Sequence, residues 1–370
     1  MSMAAERARA AALAEPDRLE GFSAPREVDR LFGHAAARAE FADALRSGRM
    51  HHAWLIVGPE GVGKATLAYQ FARTVLAEAG EREDVDREHK VFRKVAALSH
   101  PNLLVIRRAW NEKSKRYAQM IGVDEVRRLR AFLGTTAGEG SWRVVIVDRA
   151  DELNQNAANA LLKALEEPPP RTLFLLISSA EGRLPVTIRS RARALRVSAL
   201  AEADVERAVR AALERDGQEV EAKTLATALA LSEGSVRRAL ELVSSEGIEL
   251  YAEIAAALAA LPEIDGARLH RNVERLAGTA DTERLDLYLA LLLGLIERLI
   301  RFTATSEGAT HAERSLAKRL ISPANLSFWA EAWEAISEAR AEAFALNLDR
   351  SLLVLDTWFR LQAVAREHPV

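Results

Sequence analysis

Residues 53–66 read AWLIVGPEGVGKAT: an apolar strand, a glycine-rich loop and the start of a helix. The loop from Gly58 to Lys64 has the spacing GxxxxGK. The backbone N–H groups of such a loop close around phosphate oxygens at the helix N-terminus, and the lysine reaches the β- and γ-phosphates. The stretch therefore predicts an α/β domain with a phosphate-binding loop. The candidate nucleotide-binding residues of this stretch are Gly58, Gly61, Gly63, Lys64 and Thr66.

Short apolar runs recur along the first 200 residues, at 54–57, 103–106, 144–147, 172–177 and 194–197. Apart from Arg196, the runs are mostly apolar at every position, which is typical of strands buried on both faces. Helical or loop stretches separate one run from the next. Strands that alternate with helices in this way predict a parallel sheet.

Composition excludes several classes of protein. The chain has 370 residues, 51 Lys and Arg, 53 Asp and Glu and a formal net charge of −2, so it is neither a disordered polyelectrolyte nor strongly basic. It contains no cysteine, which excludes disulfides, thiolate metal sites and cysteine nucleophiles. The longest apolar run, residues 287–296, is about half as long as a membrane helix needs, and the N-terminus has no secretory core. We expect a soluble cytoplasmic protein.

The metal position of the phosphate-binding loop is altered. Ala65 follows Lys64, where this motif normally has a Ser or Thr hydroxyl that binds Mg²⁺. A methyl group cannot bind a metal. Thr66 lies about 100° further around the helix and is not expected to take over. The sequence therefore predicts that a bound nucleotide holds magnesium poorly.

The hydrolytic position is altered as well. The run 144–147 ends at Asp148, as expected for the acidic strand of an ATP site. Arg149 follows, where a glutamate usually orients the attacking water, and arginine cannot accept a proton. Asp151 and Glu152 fall in a predicted turn, as capping or solvated residues. We predict that hydrolysis by this chain alone is very slow or absent.

Beyond residue 200 the apolar pattern is helical. Trp329, Trp333 and Ile336 share a helix face behind a start signal at residues 322–325, and we expect them in a helix-bundle core. A second stripe is expected in the same core; it consists of Leu352, Leu355, Phe359 and Val364. The predicted domains are an N-terminal extension (1–27), an α/β domain (28–199), a helical lid (200–246) and a helical C-terminal domain (247–370).

Several segments carry a family resemblance. Residues 159–169, NALLKALEEPP, follow the acidic strand and resemble the signature helix of clamp-loader AAA+ proteins, with Asn154 as its predicted cap. Residues 187–192, TIRSRA, resemble the Ser-Arg-Cys motif of that family with alanine in the cysteine place. Residues 31–34, 178–179 and 234–237 are similar to its adenine-proximal, sensor 1 and sensor 2 segments. The matches are in the family's order over about residues 30–240.

The resemblance implies a fold and a role. The fold is an AAA+ domain followed by an all-α lid and an all-α collar that oligomerises. A degraded nucleotide site together with a retained Ser-Arg pair is similar to the stator at one end of the clamp-loader ring of bacterial DNA polymerase III. Arg191 would then act in trans as an arginine finger on a neighbouring subunit, with Ser190 in support. Asp148 and Arg237 would join the loop residues at the nucleotide, and these contacts could also be vestigial.

The implied partners are the delta subunit, gamma or tau subunits, the sliding clamp by an indirect or transient contact, and primer–template DNA through the assembled complex. The implied location is the bacterial cytoplasm, at the nucleoid with the replisome. Two other hypotheses stay open: a catalytically active AAA+ ATPase of the gamma or tau type or a related DNA motor, and a nucleotide-regulated scaffold unrelated to replication. The sequence also leaves open whether ATP or ADP is bound.

Three further features of the sequence lead to predictions of more limited scope. Family members often carry a four-cysteine zinc module, but residues 81–99 contain no cysteine, and His89 and His100 are too few ligands, so no zinc is predicted. A basic run is expected to be a solvated loop, with DNA contact implied only by the resemblance; it comprises Arg107, Arg108, Lys113, Lys115 and Arg116. Arg298 and Arg301 are expected on the wet faces of helices.

Overall fold

The structure is a computed structural model that describes residues 18–78, 85–111, 116–134, 141–244, 247–277, 282–307, 309–346 and 348–370. The chain divides into two compact units, one extending to Glu241 and the other running from Leu242 to Val370. The further division of the first unit into an α/β domain and a lid at residue 200 stays a prediction.

A parallel sheet forms the centre of the first unit. Within the described residues it has five strands: β1 (Ala53–Val57), β2 (Leu103–Ile106), β5 (Arg143–Val147), β6 (Thr172–Ser178) and β7 (Arg193–Arg196). Their order in the sheet is β2-β5-β6-β1-β7. A separate antiparallel pair follows β2, consisting of β3 (Trp110–Asn111) and β4 (Arg116–Tyr117). The predicted parallel α/β fold is confirmed.

Side chains of the central strands alternate between two cores because successive residues of a strand point to opposite faces. Trp54 and Ile56 of β1 lie in one core with Phe41 and Leu67, whereas Leu55 lies in the other. Both faces of the sheet are therefore covered by helices. The sequence predicts that each strand is buried on both faces. This is wrong for β7, in which only Leu195 is buried, because β7 lies at the edge of the sheet.

Helices surround this sheet and continue beyond it to residue 244. They are α1 (Ala35–Arg46), α2 (Lys64–Leu76), α3 (Lys90–Ala96), α4 (Val123–Gly134), α5 (Gln155–Glu166), α6 (Val186–Arg189), α7 (Glu202–Asp216), α8 (Ala222–Leu231) and α9 (Val236–Ser244). The side chain of Asn154 accepts a hydrogen bond from the Ala157 N–H at 2.8 Å, so this residue caps α5 as the sequence predicts.

Residues 18–27 of the predicted extension are packed into the first unit. Phe22 and Ala24 are buried, and a 3₁₀ turn covers Pro25–Glu27. The Ser23 N–H donates to a carboxylate oxygen of Asp216 at 3.1 Å, and its hydroxyl donates to the other oxygen. These contacts tie the segment to the end of α7. The rest of the predicted extension, residues 1–17, lies outside the described residues.

The second unit is helical, as predicted. Its helices are α10 (Gly247–Ala260), α11 (Gly266–Ala277), α12 (Thr282–Thr305), α13 (His311–Leu320), α14 (Leu326–Leu346) and α15 (Arg350–Glu367). Trp329 and Ile336 of α14 are buried, and the indole N–H of Trp333 donates to the carbonyl of Leu293 at 3.0 Å. In the described residues, no helix is long and apolar enough to cross a bilayer.

The predicted core stripe on α15 is wrong. Leu352 and Phe359 are 65% and 55% exposed. The buried face of the helix lies next to that stripe and consists of Leu353, Val354, Thr357, Trp358 and Leu361. Both faces are apolar at helical spacing, so periodicity alone does not distinguish the buried one.

A buried ion pair corrects a second expectation about the second unit. Arg298 is 5% exposed, and its Nε atom donates to Glu313 at 2.8 Å. The same carboxylate accepts from the Tyr251 hydroxyl at 2.6 Å and from the Thr310 N–H at 2.7 Å. The expectation of a wet face is wrong for Arg298, which finds a carboxylate inside the unit. Arg301 is exposed, as expected.

Candidate functional site

A cavity of about 480 Å³ opens in the first unit at the carboxyl ends of β1, β5 and β6, and this volume is ordinary for a small-molecule site. In a parallel sheet ligands bind at this edge. One end of the cavity is formed by the phosphate-binding loop with Asp148 and Ser179. The other end is mostly apolar and is lined by Leu19, Phe22, Val28, Leu31, Phe32, Leu200, Ala208 and Ala212.

The loop has the conformation that phosphate binding requires. Gly63 is the N-cap of α2 with φ 101°, and Gly61 has φ 76°, both in the left-handed region that favours glycine. Within the described residues, the backbone N–H groups from Gly61 to Thr66 have no protein acceptor. These residues line the cavity, and N–H groups without an acceptor at a helix N-terminus can bind an anion.

Lys64 is buried against its own loop. The side chain is 6% exposed, and its amine donates to the carbonyl of Gly58 at 2.8 Å and to the carbonyl of Pro59. Burial lowers the pKa of Lys64 to about 8, against the opposing influence of Glu60 and Asp151. The amine is thus mostly protonated at neutral pH and is hydrogen-bonded to two carbonyls of its own loop.

Ala65 and Thr66 both border the cavity. The position directly after the lysine therefore presents a methyl group to the phosphate end, as expected from the sequence. Asp148 is 8% exposed and also faces this end of the cavity. Among the described residues, no group of three or more His, Cys, Asp and Glu side chains could hold a metal ion.

Arg149 connects the acidic strand to the phosphate-binding loop. Its guanidinium lies 2.9 Å from the carboxylate of Glu60 in the loop and 2.6 Å from the carboxylate of Glu152. Glu152 also pairs with Arg108 at 3.0 Å. The four side chains form one ionic chain, of which Glu60 and Arg149 border the cavity. The expectation that Glu152 is a capping or solvated residue is wrong, since its side chain is 16% exposed and paired on both sides.

The charges around Arg149 act on each other. Burial disfavours its charged form, but Glu60, Glu152 and other nearby carboxylates outweigh this and raise the pKa of Arg149. Burial alone would raise the pKa of Glu60, yet Arg149 and two further cations lower it. Both partners are therefore ionised at neutral pH. This chain of ion pairs could not be found from sequence, because Glu60 and Arg149 are 89 positions apart.

Arg237 reaches the same cavity from α9. Its backbone N–H donates to the carbonyl of Gly61 at 3.2 Å, and its side chain pairs with Glu241 at 2.7 Å. A Cβ atom on Gly61 would lie 2.1 Å from the hydroxyl of Ser235, so glycine allows this close approach of α9 to the loop. The structure thus brings together Lys64, Asp148 and Arg237, which the sequence places at one site.

Arg191 lies elsewhere, on a turn after α6. Its side chain is 37% exposed and pairs at 2.8 Å with Glu166, the last residue of α5. It also donates to the carbonyl of Thr187 at 3.1 Å, and Ser190 donates to the same carbonyl at 3.1 Å. Arg191 does not line the cavity of its own chain. Ser190 stabilises the turn that presents it.

Sequence reasoning missed the N-terminal wall of the cavity. Leu19, Phe22 and Val28 line the apolar end, although the first two lie in the predicted extension. The recurrence of an apolar residue at every third position from Leu19 to Leu31 was the available signal. It was weak because the segment forms only one short turn.

Arg73 packs next to the region where family members often carry a zinc module and where no zinc is predicted for this chain. Arg73 donates to the carbonyl of Val28 at 2.8 Å, and its guanidinium lies 4.5 Å from the ring centre of Phe92. Burial lowers the pKa of Arg73 to about 10. His89 caps α3 by accepting from the Val91 N–H, and His100 accepts from a backbone N–H. Residues 79–84 lie outside the described part of the chain.

The basic run is only partly described. Lys113 and Lys115 lie outside the described residues, and only the backbone of Arg116 is described, in β4. Arg108 is 24% exposed, so the expectation of a freely solvated side chain is wrong at this position, where Glu152 offers a carboxylate. Trp110 and Tyr117 pack edge to face at 4.9 Å beside it.

Part of the chain is similar in sequence to known proteins. Residues 33–201 match the family model described as "DNA polymerase III, delta subunit". Over 140 residues the chain is 41% identical to DNA polymerase III subunit delta prime of Pseudomonas aeruginosa, which covers 38% of this chain and 41% of that protein. Over the matched residues the chain is a relative of DNA polymerase III delta prime subunits. The resemblance predicted from the sequence is confirmed for this part of the chain.

The delta prime relative is also similar to a gamma subunit. It is 27% identical over 219 residues to DNA polymerase III subunit gamma of Buchnera aphidicola subsp. Schizaphis graminum, which covers 59% of this chain and 58% of that protein. A solved structure of a gamma subunit-related protein from Thermotoga maritima covers 87% of this chain and 98% of that one, with a TM-score of 0.40 and 19% identity. The chain spans between 41% and 58% of the length of these two curated relatives.

Proposed function

We propose that this delta prime relative is the stator subunit of a bacterial DNA polymerase III clamp loader. In this role it does not hydrolyse ATP on its own, and it supplies Arg191 to the ATP site of a neighbouring gamma or tau subunit. The observation that carries the proposal is the placement of Arg191. It lies on a surface turn outside the cavity of its own chain, where it forms an ion pair with one exposed carboxylate, Glu166, and donates to the carbonyl of Thr187.

The energetics favour release of Arg191 to a neighbour. An exposed ion pair contributes about 0–1 kcal/mol, so leaving Glu166 costs little. An arginine finger at a γ-phosphate is worth about 10³–10⁵ in rate. The gain in the transition state therefore far exceeds the cost of breaking the pair within the chain.

The cavity of the chain supports the absence of hydrolysis. Arg149 is fixed between Glu60 and Glu152 at the phosphate end, in the sequence position where a general base would be expected. A guanidinium has no acceptor for a proton, so it cannot activate water. Ala65 removes the hydroxyl that would bind magnesium. Two independent changes thus act against hydrolysis in this site.

The test is an Arg191→Ala variant in a reconstituted loader with delta, gamma or tau, the sliding clamp and primed DNA. We expect DNA-stimulated ATP turnover to fall by the fraction of the total that the ATP site served by Arg191 contributes. Clamp loading should fall with it. Arg360→Ala is the matched control, because Arg360 is an exposed arginine paired with one carboxylate, Asp356. Unchanged turnover with Arg191→Ala would refute the finger assignment.

The proposed partners follow from the same role. Delta and gamma or tau are expected to co-purify with the full chain, whereas the clamp and primer–template DNA are expected only with the assembled complex. A pull-down from the native organism checks this. Recovery of neither delta nor gamma or tau would favour a scaffold outside replication.

A second candidate function is an active ATPase of the gamma or tau type, favoured by the similarity to the gamma subunit over 59% of the chain. Thr66 and Asp151 would then have to compensate for the altered positions. An ATPase assay on the isolated chain separates the two. Turnover of about one per second or faster, the ordinary enzyme range, would favour the active ATPase.

A further inference from the structure

Arginine is concentrated in the segment 183–196, which carries Arg191. This segment contains five arginines and no lysine, aspartate or glutamate, although the formal net charge of the chain is −2. Protein interfaces are enriched in arginine and depleted of lysine and of carboxylates relative to the rest of a protein surface. The composition of the segment is therefore typical of a surface that binds another protein.

Not all of these arginines have a carboxylate partner within the chain. Three of them do: Arg191, Arg193 and Arg196. In the described part of the chain, the side chains of Arg183 and Arg189 form no ion pair and no hydrogen bond. The charge of Arg189 does act on Glu181, but that carboxylate is already paired with Arg196. Two positive charges thus remain available to an anionic partner.

Arg189 also contains a donor without an acceptor. Its Nε atom is buried, and no described residue accepts a hydrogen bond from it. Nearly all buried donors in folded proteins are paired. Since the side chain as a whole is partly exposed, an acceptor from outside the chain can contact the guanidinium. A carboxylate is among the strongest acceptors for such a group.

An apolar side chain lies beside these cations. Val186 is 68% exposed, and Arg189 follows it three positions later on α6, so the two are neighbours on the helix surface. Nucleic acid is contacted mainly through its phosphates and sugars, which offer little to an exposed valine. An apolar residue among arginines fits the surface of a protein better.

The core of the first unit holds this turn in place. Leu184 and Ile188, on either side of Val186 in the sequence, are buried in the same core as Leu161 and Leu165 of α5. A surface that is ordered before binding loses less freedom when a partner associates. The turn is therefore suited to recognition without rearrangement of its backbone.

We propose that Arg183, Val186 and Arg189 form a docking surface beside Arg191, and that this surface binds a carboxylate-rich face of the neighbouring gamma or tau subunit. The inference rests on the proposed stator role and adds a division of labour to it. Arg191 acts on the rate of ATP hydrolysis in the neighbour, whereas Arg183 and Arg189 act on the affinity between the two subunits.

The test measures the affinity of the full chain for the purified gamma or tau subunit by biolayer interferometry, without nucleotide. We expect the double variant Arg183→Ala/Arg189→Ala to weaken binding at least about tenfold, because two charged contacts are lost. Added salt should weaken binding of the unaltered chain more than binding of the double variant. Val186→Asp should also weaken binding, since it places a carboxylate against carboxylates. Arg46→Ala is the matched control, because Arg46 is an exposed arginine of the same unit.

The reconstituted loader provides a second measurement. The concentration of this chain that gives half-maximal DNA-stimulated turnover should rise for the double variant by the same factor as its dissociation constant. Arg191→Ala should instead lower the maximal turnover. The stator role fails if Arg191→Ala leaves turnover unchanged, whereas the docking surface fails on affinity, so the two failures are distinguishable.

The other outcomes overturn the proposal. Unchanged affinity of the double variant, or no binding by the unaltered chain, would show that the docking surface does not bind gamma or tau. Lower maximal turnover at unchanged affinity would place Arg189 in the ATP site with Arg191. Weaker DNA binding by the assembled loader at unchanged subunit affinity would make the segment a nucleic-acid surface. If circular dichroism shows that the double variant is misfolded, Arg183→Glu decides alone, because that side chain is exposed: unchanged affinity would refute the proposal.

Discussion

The ion pair between Arg191 and Glu166 offers the sharpest test of the proposed role. Glu166→Ala removes the partner that holds Arg191 within its own chain. The side chains are 37% and 42% exposed and their N–O distance is 2.8 Å. Pairs of this exposure contribute about 0–1 kcal/mol. The free energy of unfolding of the isolated chain is therefore expected to fall by no more than about 1 kcal/mol, measured by urea denaturation.

The effect on the loader has the opposite sign. If Arg191 must leave Glu166 to reach a neighbouring γ-phosphate, the pair opposes the active arrangement. Removing up to 1 kcal/mol of opposition raises the rate at that site by at most about fivefold. We expect Glu166→Ala to raise DNA-stimulated ATP turnover of the reconstituted complex within this limit. Asp356→Ala, which frees the exposed Arg360 in the same way, should leave turnover unchanged.

The double variant with Glu166→Ala and Arg191→Ala tests whether Glu166 acts on turnover only through Arg191. In the Arg191→Ala background, Glu166→Ala should have no further effect on turnover, because no finger remains to be released. If Glu166→Ala lowers turnover as strongly as Arg191→Ala does, Glu166 positions the finger and does not restrain it. If its effect persists without Arg191, the pair is irrelevant to catalysis.

Three further predictions concern other parts of the chain. Glu313→Ala should lower the free energy of unfolding by about 3–5 kcal/mol in urea denaturation, since it removes the carboxylate that pairs with the buried Arg298, whereas replacing both Arg298 and Glu313 by apolar residues should be nearly neutral. Affinity for ADP should fall about tenfold between pH 7 and pH 9 in dialysis, because Lys64, with a pKa of about 8, loses its charge as pH rises; a flat profile would show that its charge is not needed. Asn154→Ala should cost about 0.5–2 kcal/mol through loss of the cap on α5, with Asn154→Ser recovering most of it.

Local signals predicted much of the fold. The five parallel strands, the loop between β1 and α2 and the cap at Asn154 depend on contiguous residues, so the sequence states them directly. Which strand lies at the edge of the sheet is not set by contiguous residues. The apolar run of β7 looks like a buried strand, but its exposure depends on which strand lies beside it, and strand order is a property of the whole sheet.

The same limit applies to helices and charges. On α15 two adjacent faces are apolar, and only packing decides that Trp358 is buried while Phe359 is exposed. Arg298 and Arg301 are both arginines and lie three positions apart on α12. Only Arg298 contacts a buried carboxylate, which comes from α13. Burial of a charge depends on a partner that is distant in sequence.

By itself, the sequence determined the type of site. The phosphate-binding loop, the methyl group of Ala65 and the guanidinium of Arg149 are set by residue identity, and with them the prediction of a site that binds magnesium poorly and lacks a general base. The tertiary structure alone decided what these residues do instead. It placed Glu60, Glu152 and Arg149 in one chain of ion pairs and Arg191 on Glu166, because such contacts join strands and helices far apart along the chain.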